Sequence, residues 1–422
     1  MEGITPVIAI ILLLLITISI VGFAFVFFAR TTETAAASGE EQLKQQTASA
    51  GTTIRIDTAS ENKIYVRNTG TVDMPSNSLK AFVDGTQVDL SSDPLGKGSF
   101  GTVTLDMSKL PKTSGEHTLK VTSGGNTDTL KINYPVVGVL NIVPFNSGGA
   151  GAPTATELDS VLNGINVAHE LVSDVNTWAD NMKTGKYDIV VVPYNHDLPV
   201  FKTTCTVNTG SVPYTSSCQG DPNNDIWIIT KNFISGGGTF IGSWAIPFYC
   251  FDYWTGSGWT VYKGASGSEY SAGNCCGGCG SCPNPPAAGC FETPERFYTI
   301  GFGSPAIGAW CGEWCWANEN HIAVTQESSN IFSSVPAAAK DPAAFSGWYR
   351  TTGNLDYNFF AVHDSSHNLA SGNQNLLYGG AKKYGSGYFI WMSGTSLFDP
   401  SDSPQANNAW RDLIKWIYKQ KK

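Results

Sequence analysis

The sequence predicts a multidomain chain of α, β and α/β parts: a hydrophobic N-terminal helix, a β-sandwich and a doubly wound α/β domain. Three observations predict it. An early segment carries no charge, a middle segment alternates apolar and polar residues with a period of two, and the remainder alternates apolar strands with amphipathic helices. The predicted boundaries are 1–3 for a leader, 4–50 for the helix and its stem, 51–134 for the sandwich and 135–422 for the α/β domain, with an insertion at about 245–320.

The uncharged segment, Pro6 to Ala29, is long enough to span a bilayer. At about 1.5 Å per residue it forms a helix of about 36 Å, compared with a hydrocarbon core of about 30 Å. It lacks the basic start and the small-residue cleavage site of a secretory signal peptide, so we expect it to be retained. A helix that is apolar all round is buried in lipid or among other helices. Both a membrane anchor and a packed assembly of helices are therefore open.

The stretch Gly-Ile-Thr-Pro-Val-Ile-Ala from Gly3 to Ala9, followed by an unbroken Leu/Ile run, resembles the N-terminus of archaeal type IV pilins and archaellin-like proteins. The resemblance implies that a peptidase cuts between Gly3 and Ile4 and that the helix then packs with its copies in a filament core. Glu2 stands where the family usually has Lys or Arg. The residues expected in the filament core are Pro6, Ile8, Leu12, Leu15, Ile18, Val21 and Phe25.

The composition is that of an extracellular surface protein. Charged residues make up 14% of the chain and the net charge is −9, which argues against nucleic acid as a partner. The basic run Lys419 to Lys422 is expected to be a solvated tail. We expect the protein at the cell membrane and on the extracellular surface, with its large C-terminal part outside. The expected partners are other pilin subunits, the membrane before assembly and a glycan or protein ligand.

All ten cysteines lie in one stretch of the chain, between Cys205 and Cys315. An even number in a glycine-rich region indicates a disulfide framework formed in an oxidising compartment. The alternative is a zinc or iron–sulfur site, because Cys276, Cys279 and Cys282 have metal-ligand spacing. We predict disulfides and no cofactor, with Cys205–Cys218 and Cys311–Cys315 as plausible local bridges. The ten residues are Cys205, Cys218, Cys250, Cys275, Cys276, Cys279, Cys282, Cys290, Cys311 and Cys315.

The segment from Thr52 to Tyr134 predicts about seven short strands, which is typical of an Ig-like sandwich. Its clearest hairpin joins residues 79–83 to 86–90 through Asp84-Gly85, a favoured two-residue turn. We expect this domain to space subunits and contact neighbours. Before it, Thr31 to Ala50 is rich in helix formers, although Ser38-Gly39 weakens the predicted helix there.

From Pro135 onward, the pattern of apolar strands and amphipathic helices predicts a parallel sheet covered by helices. The predicted strands are 136–143, 168–172, 188–193, 239–242, 358–362 and 387–392, and the predicted helices are 154–164, 175–183, 225–234 and 407–419.

The stretches YDIVVVP from Tyr187 and ITKNFISGGGTFIGSWA from Ile229 resemble the flavodoxin-like fold of class I glutamine amidotransferases, in particular their ThuA-like relatives. The resemblance implies a cysteine nucleophile at the turn after the fourth strand. In this chain, Ser243 or Trp244 falls at that turn, and the next cysteine is Cys250. We therefore predict a non-catalytic domain. The weak alternative is a hydrolase that uses Ser243 with His363.

The insertion is rich in aromatic residues as well as cysteines. Exposed Trp and Tyr suit recognition of a sugar or a protein, whereas a satellite core over the sheet is an equally weighted interpretation. The proposed recognition residues are Trp254, Trp259, Trp310, Trp314 and Trp316, with Tyr253 and Tyr262 among the neighbouring rings.

The sequence thus predicts a filament subunit of the archaeal type IV pilin kind that displays a non-catalytic α/β domain for adhesion or ligand binding. Two alternatives stay open. One is a membrane-anchored extracellular hydrolase or ligand-binding protein that does not form filaments, and the other is a zinc or iron–sulfur protein of the inner membrane face.

Overall fold

The structure is a computed structural model that describes most of the chain in thirteen segments. Contacts divide the chain into two compact units, each made of two separate stretches. The first unit comprises Met1–Leu105 and Thr118–Lys131, and the second comprises Asp106–His117 and Ile132–Lys422. The predicted domain boundaries remain predictions. The described segments are 6–60, 62–124, 126–142, 153–193, 198–210, 214–243, 251–262, 322–324, 326–340, 355–362, 377–392, 396–401 and 403–421.

The chain begins with one continuous helix, α1, at Pro6–Gly51. It continues through Ser38 and Gly39, where the sequence weakens it. The part from Ile8 to Glu40 is long and apolar enough to cross a membrane, by length and composition. Its large apolar side chains are exposed, with Leu13 at 69%. A helix of this kind at an N-terminus serves as a membrane anchor or a signal sequence.

The rest of the first unit consists of two four-stranded antiparallel sheets, in the orders β1-β2-β6-β5 and β4-β3-β7-β8. Buried and exposed residues alternate along β7, as the period of two predicts. The predicted hairpin is present, and Asp84 and Gly85 at its turn both have positive φ. The strands are β1 Ile54–Ser60, β2 Lys63–Asn68, β3 Leu79–Val83, β4 Thr86–Val88, β5 Leu90–Ser92, β6 Phe100–Leu105, β7 Glu116–Ser123 and β8 Asn126–Asn133.

The second unit is built on an eight-stranded sheet, with strand order β10-β9-β11-β15-β21-β20-β19-β18. The first five strands are parallel, and the last three add antiparallel partners. The sheet strands are β9 Val136–Leu140, β10 Ala168–Val172, β11 Ile189–Val192, β15 Thr239–Ser243, β18 Ile322–Val324, β19 Tyr357–Val362, β20 Leu377–Tyr384 and β21 Gly387–Met392. Short strands lie outside it, at β12 Leu198–Pro199, β13 Val207–Asn208, β14 Thr215–Ser216, β16 Phe251–Trp254 and β17 Trp259–Val261.

Local signals in the sequence explain where the helices of this unit begin. Thr154 and Glu157 form a capping box at the first, and Asp174 and Asp225 cap the next two. The last helix places Trp410 in the core, where its indole nitrogen donates to the carbonyl of Phe398 at 2.9 Å. The helices are α2 Ala155–Gly164, α3 Val175–Lys183, α4 Ile226–Ser235, α5 Gln326–Ser329 and α6 Ala406–Gln420.

The predicted elements of this unit are largely confirmed, with two differences. The first strand ends at Leu140, not at Val143. Strand β20 was not predicted, because it contains Gly379 and Gly380 and glycine is depleted in strands. The fold requires a glycine at 380, since a Cβ atom there would lie 2.2 Å from the carbonyl oxygen of Tyr357.

Candidate functional site

The predicted nucleophile position lies at the carboxyl edge of the parallel sheet. Ser243 ends β15, and its backbone pairs with Met392 at the end of β21. This is the edge where open α/β sheets bind ligands. Strand β19 runs in the same direction and ends at Val362, but β21 and β20 separate it from β15. At about 4.8 Å per strand, the two strand ends are about 14 Å apart.

That spacing does not favour a Ser–His pair at this edge. A nucleophile and its base must come within about 2.6–3.2 Å of each other, often loosened in a resting enzyme. His363 follows the end of β19 and lies outside the described residues. The hydrolase that uses Ser243 and His363 therefore stays an alternative that no contact in the described part of the chain supports.

Of the ten cysteines, the structure describes Cys205 and Cys218, and it joins them in a disulfide with a Cα–Cα distance of 5.7 Å. The bond closes a loop that carries β13 and β14. The segment before the loop is fixed to α3, because Lys202, which is buried, forms an ion pair with Asp180 at 2.5 Å. The other eight cysteines, and with them the choice between disulfides and a metal, lie outside the described residues.

Two tyrosines of the predicted recognition region belong to a satellite core. Tyr253 and Tyr262 are buried, and Tyr214 from the disulfide loop packs edge-on against both. Tyr262 also packs against Phe201 and donates its hydroxyl to the carbonyl of Tyr214. Burial, followed by the effect of Tyr214, raises the pKa of Tyr253. The sequence gave no signal that Phe201 and Tyr214 join this cluster, since both are far away in the chain.

On the same β16–β17 hairpin, Trp254 and Trp259 form a cross-strand pair. Their ring centroids are 5.6 Å apart in an edge-to-face arrangement, and both side chains are partly exposed. Their strands are also held by the tyrosine cluster. The pair is the described part of the predicted recognition surface, because Trp310, Trp314 and Trp316 lie outside the described residues.

A groove of about 960 Å³ lies at the opposite, amino edge of the parallel sheet. The carboxyl ends of α3 and α4 both reach it, so helix dipoles place partial negative charge there. Lys183, Lys383 and Lys421 line it and offset that charge. The cations thus match the helix ends and do not by themselves indicate a ligand.

The groove contains the carboxylate of Asp188, which holds several parts of the second unit together. Its Oδ2 accepts from the backbone N–H of Val136 at 3.0 Å, and its Oδ1 accepts from the hydroxyl of Ser114 at 2.9 Å. The Lys421 ammonium lies 3.1 Å from the same Oδ1 and donates to the carbonyl of Asp188. The prediction of a solvated basic tail is therefore wrong for Lys421, which an ion pair and a carbonyl hold in place.

Burial and the charge of Asp188 raise the pKa of Tyr418 to about 12. Tyr187, next to Asp188, is buried and donates its hydroxyl to Glu170. Burial and that hydrogen bond raise the pKa of Tyr187 as well. Both phenols stay neutral at physiological pH, so neither is poised as a base.

Among the described residues, no group of three or more His, Cys, Asp or Glu side chains is arranged to hold a metal ion. The comparisons with known proteins name no relative either. No protein-family model matches this chain, and no curated protein sequence matches it significantly.

The first prediction concerns the disulfide loop. Replacing Cys205 and Cys218 together by alanine is expected to lower the free energy of unfolding by about 3 kcal/mol, because the bond no longer restricts the unfolded chain. Urea denaturation measures this change. Thr209→Ala, an exposed substitution in the same loop, is the matched control and should have little effect. Equal stability of the double variant and the control would contradict the prediction.

The second prediction concerns alkaline pH. The pKa of Tyr418 is raised in the folded state, so between pH 10 and pH 12 the unfolded chain loses this proton while the folded chain keeps it. The contribution of this group is therefore complete below pH 10 and is lost as pH rises through about 12. Tyr418→Phe is expected to make the alkaline fall in stability shallower in denaturation curves recorded from pH 8 to 12. Parallel curves for the two proteins would show that Tyr418 plays no part.

Proposed function

We propose that this protein is a pilin or pilin-like subunit of a surface filament of the archaeal type IV kind. The observation that carries the proposal is α1, whose apolar part is exposed along its whole length in the single chain. The hydroxyls of Thr17 and Ser19 donate to carbonyls of the same helix, at 2.7 and 2.8 Å. Because these groups are satisfied internally, the helix suits both lipid and a core of packed helices.

The two units fit the remainder of the proposal. Two facing antiparallel sheets support an Ig-like head, and the order of the five parallel strands supports a flavodoxin-like arrangement of the α/β unit. In that arrangement the position of the amidotransferase nucleophile falls on Ser243 or Trp244, which favours display over catalysis. The partly exposed Trp254 and Trp259 are the described residues that we assign to adhesion or ligand binding.

The test of this function is N-terminal mass spectrometry of the protein from its native envelope. A pilin is expected to begin at Ile4 in sheared filaments and at Met1 in the membrane pool. A Gly3→Val variant should keep Met1 and leave the filament fraction, because the peptidase of the resembled family cuts after a glycine. Protein that begins at Met1 and is found in the membrane fraction alone would overturn the proposal in favour of a simple anchor.

A second prediction separates helix packing from anchoring. Leu15 lies in the middle of the apolar segment, and its side chain is 58% exposed. Leu15→Arg is expected to abolish filaments, because a charge at this depth is costly in lipid and in a helix core. Leu15→Met, similar in volume and polarity, is the control and should assemble normally. Electron microscopy of sheared material provides the measurement, and normal filaments from Leu15→Arg would contradict a packed-helix core.

A further inference from the structure

The segment Asp106–His117 links β6 to β7 along the chain, yet its contacts assign it to the second unit. It contains a short 3-10 turn at Met107–Lys109 that packs beside β10. Met107 and Leu110 are 4% and 3% exposed. The segment is therefore a buried part of the α/β unit and not a solvated loop of the sandwich. We call it the strap.

The strap is bonded at two points to the amino edge of the parallel sheet. At one end, the backbone N–H of Met107 donates to the side chain of Asn166, in the turn before β10, at 2.8 Å. At the other end, the backbone N–H of Ser114 donates to the carbonyl of Lys186 at 2.7 Å, and the Ser114 hydroxyl donates to Asp188. Strand β10 is the edge strand of the sheet, and a covered edge is protected from pairing with other chains.

The base of the strap is closed by packing within the same unit. The ring of His117 stacks on Tyr134, with centroids 4.5 Å apart. The hydroxyl of Tyr134 donates to the carbonyl of Pro111 at 2.9 Å, and Nε2 of His117 lies 2.8 Å from the carbonyl of Thr113. These contacts use the residues on both sides of the strap, so its path is fixed along its length.

The chain crosses from one unit to the other three times, after Leu105, after His117 and after Lys131. Two of the crossings lie inside the paired strands β7 and β8. Unfolding the α/β unit therefore frays strands of the sandwich. Unfolding the sandwich releases both ends of the strap, and the conformational entropy of closing that loop then has to be supplied by the strap contacts alone.

We propose that the strap couples the two units into one folding transition, so that neither unit is an independent domain. This inference does not depend on the filament proposal. It predicts that the slowest-exchanging backbone amides of β2 in the sandwich and of β11 in the α/β unit have the same protection.

The experiment is hydrogen–deuterium exchange with peptide mass spectrometry on the full-length protein in detergent micelles. Ser114→Ala removes one hydrogen bond to the Asp188 carboxylate. It is expected to accelerate the slowest amides of β2 and β11 by the same factor, about tenfold. Ser114→Thr keeps the hydroxyl and should restore most of the protection. Ser160→Ala, whose exposed hydroxyl bonds a carbonyl of its own helix, is the control and should leave both rates within about twofold.

Acceleration in β11 with β2 unchanged would overturn the proposal, and so would no acceleration in either strand. The unaltered protein provides a second test in case Ser114→Ala does not fold. Two clearly different protection levels for the slowest amides of β2 and β11 would show that the units unfold separately.

Discussion

The α/β unit depends on the carboxylate of Asp188, which joins parts of the chain that are far apart in sequence. Ser114, Val136 and Lys421 all donate to this residue, so the strap, the first strand of the sheet and the end of the last helix meet at one group. A buried carboxylate with such donors is stabilising as a set, because removing one donor leaves charge less well compensated in a place with little water. The strand β11 that follows Asp188 is the middle of the parallel sheet, with β9 on one side and β15 on the other.

The N-terminal helix imposes the opposite constraint, since nothing in the single chain covers it. Sixteen large apolar side chains between Ile8 and Phe28 are exposed. At about 1.5–3 kcal/mol for each buried side chain, their transfer out of water is worth roughly 25–50 kcal/mol. A typical domain is stable by about 5–15 kcal/mol. The environment of α1 therefore outweighs any other single contribution, and the helix is in lipid or against other helices whenever the protein is at equilibrium.

The sequence predicted regular elements well where local signals are strong. Capping residues such as Thr154, Asp174 and Asp225 and the Asp84-Gly85 turn act within a few residues, so they can be identified without the fold. It could not predict β20, whose glycines are permitted by a close approach of another strand. The strap and the Tyr214 cluster were also beyond reach, since their partners are brought together by the topology.

The same distinction applies to the candidate sites. Ser243 is at the carboxyl edge of the sheet because it ends an apolar strand, which is a local property. Whether a base reaches it depends on the strand order, and the order puts two strands between β15 and β19. A catalytic pair at this edge would have to bridge that separation with loops, whereas display requires only a rigid edge. The disulfide loop, the buried tyrosines and the strap all add rigidity to the α/β unit, so the arrangement favours a presented surface over a reacting one.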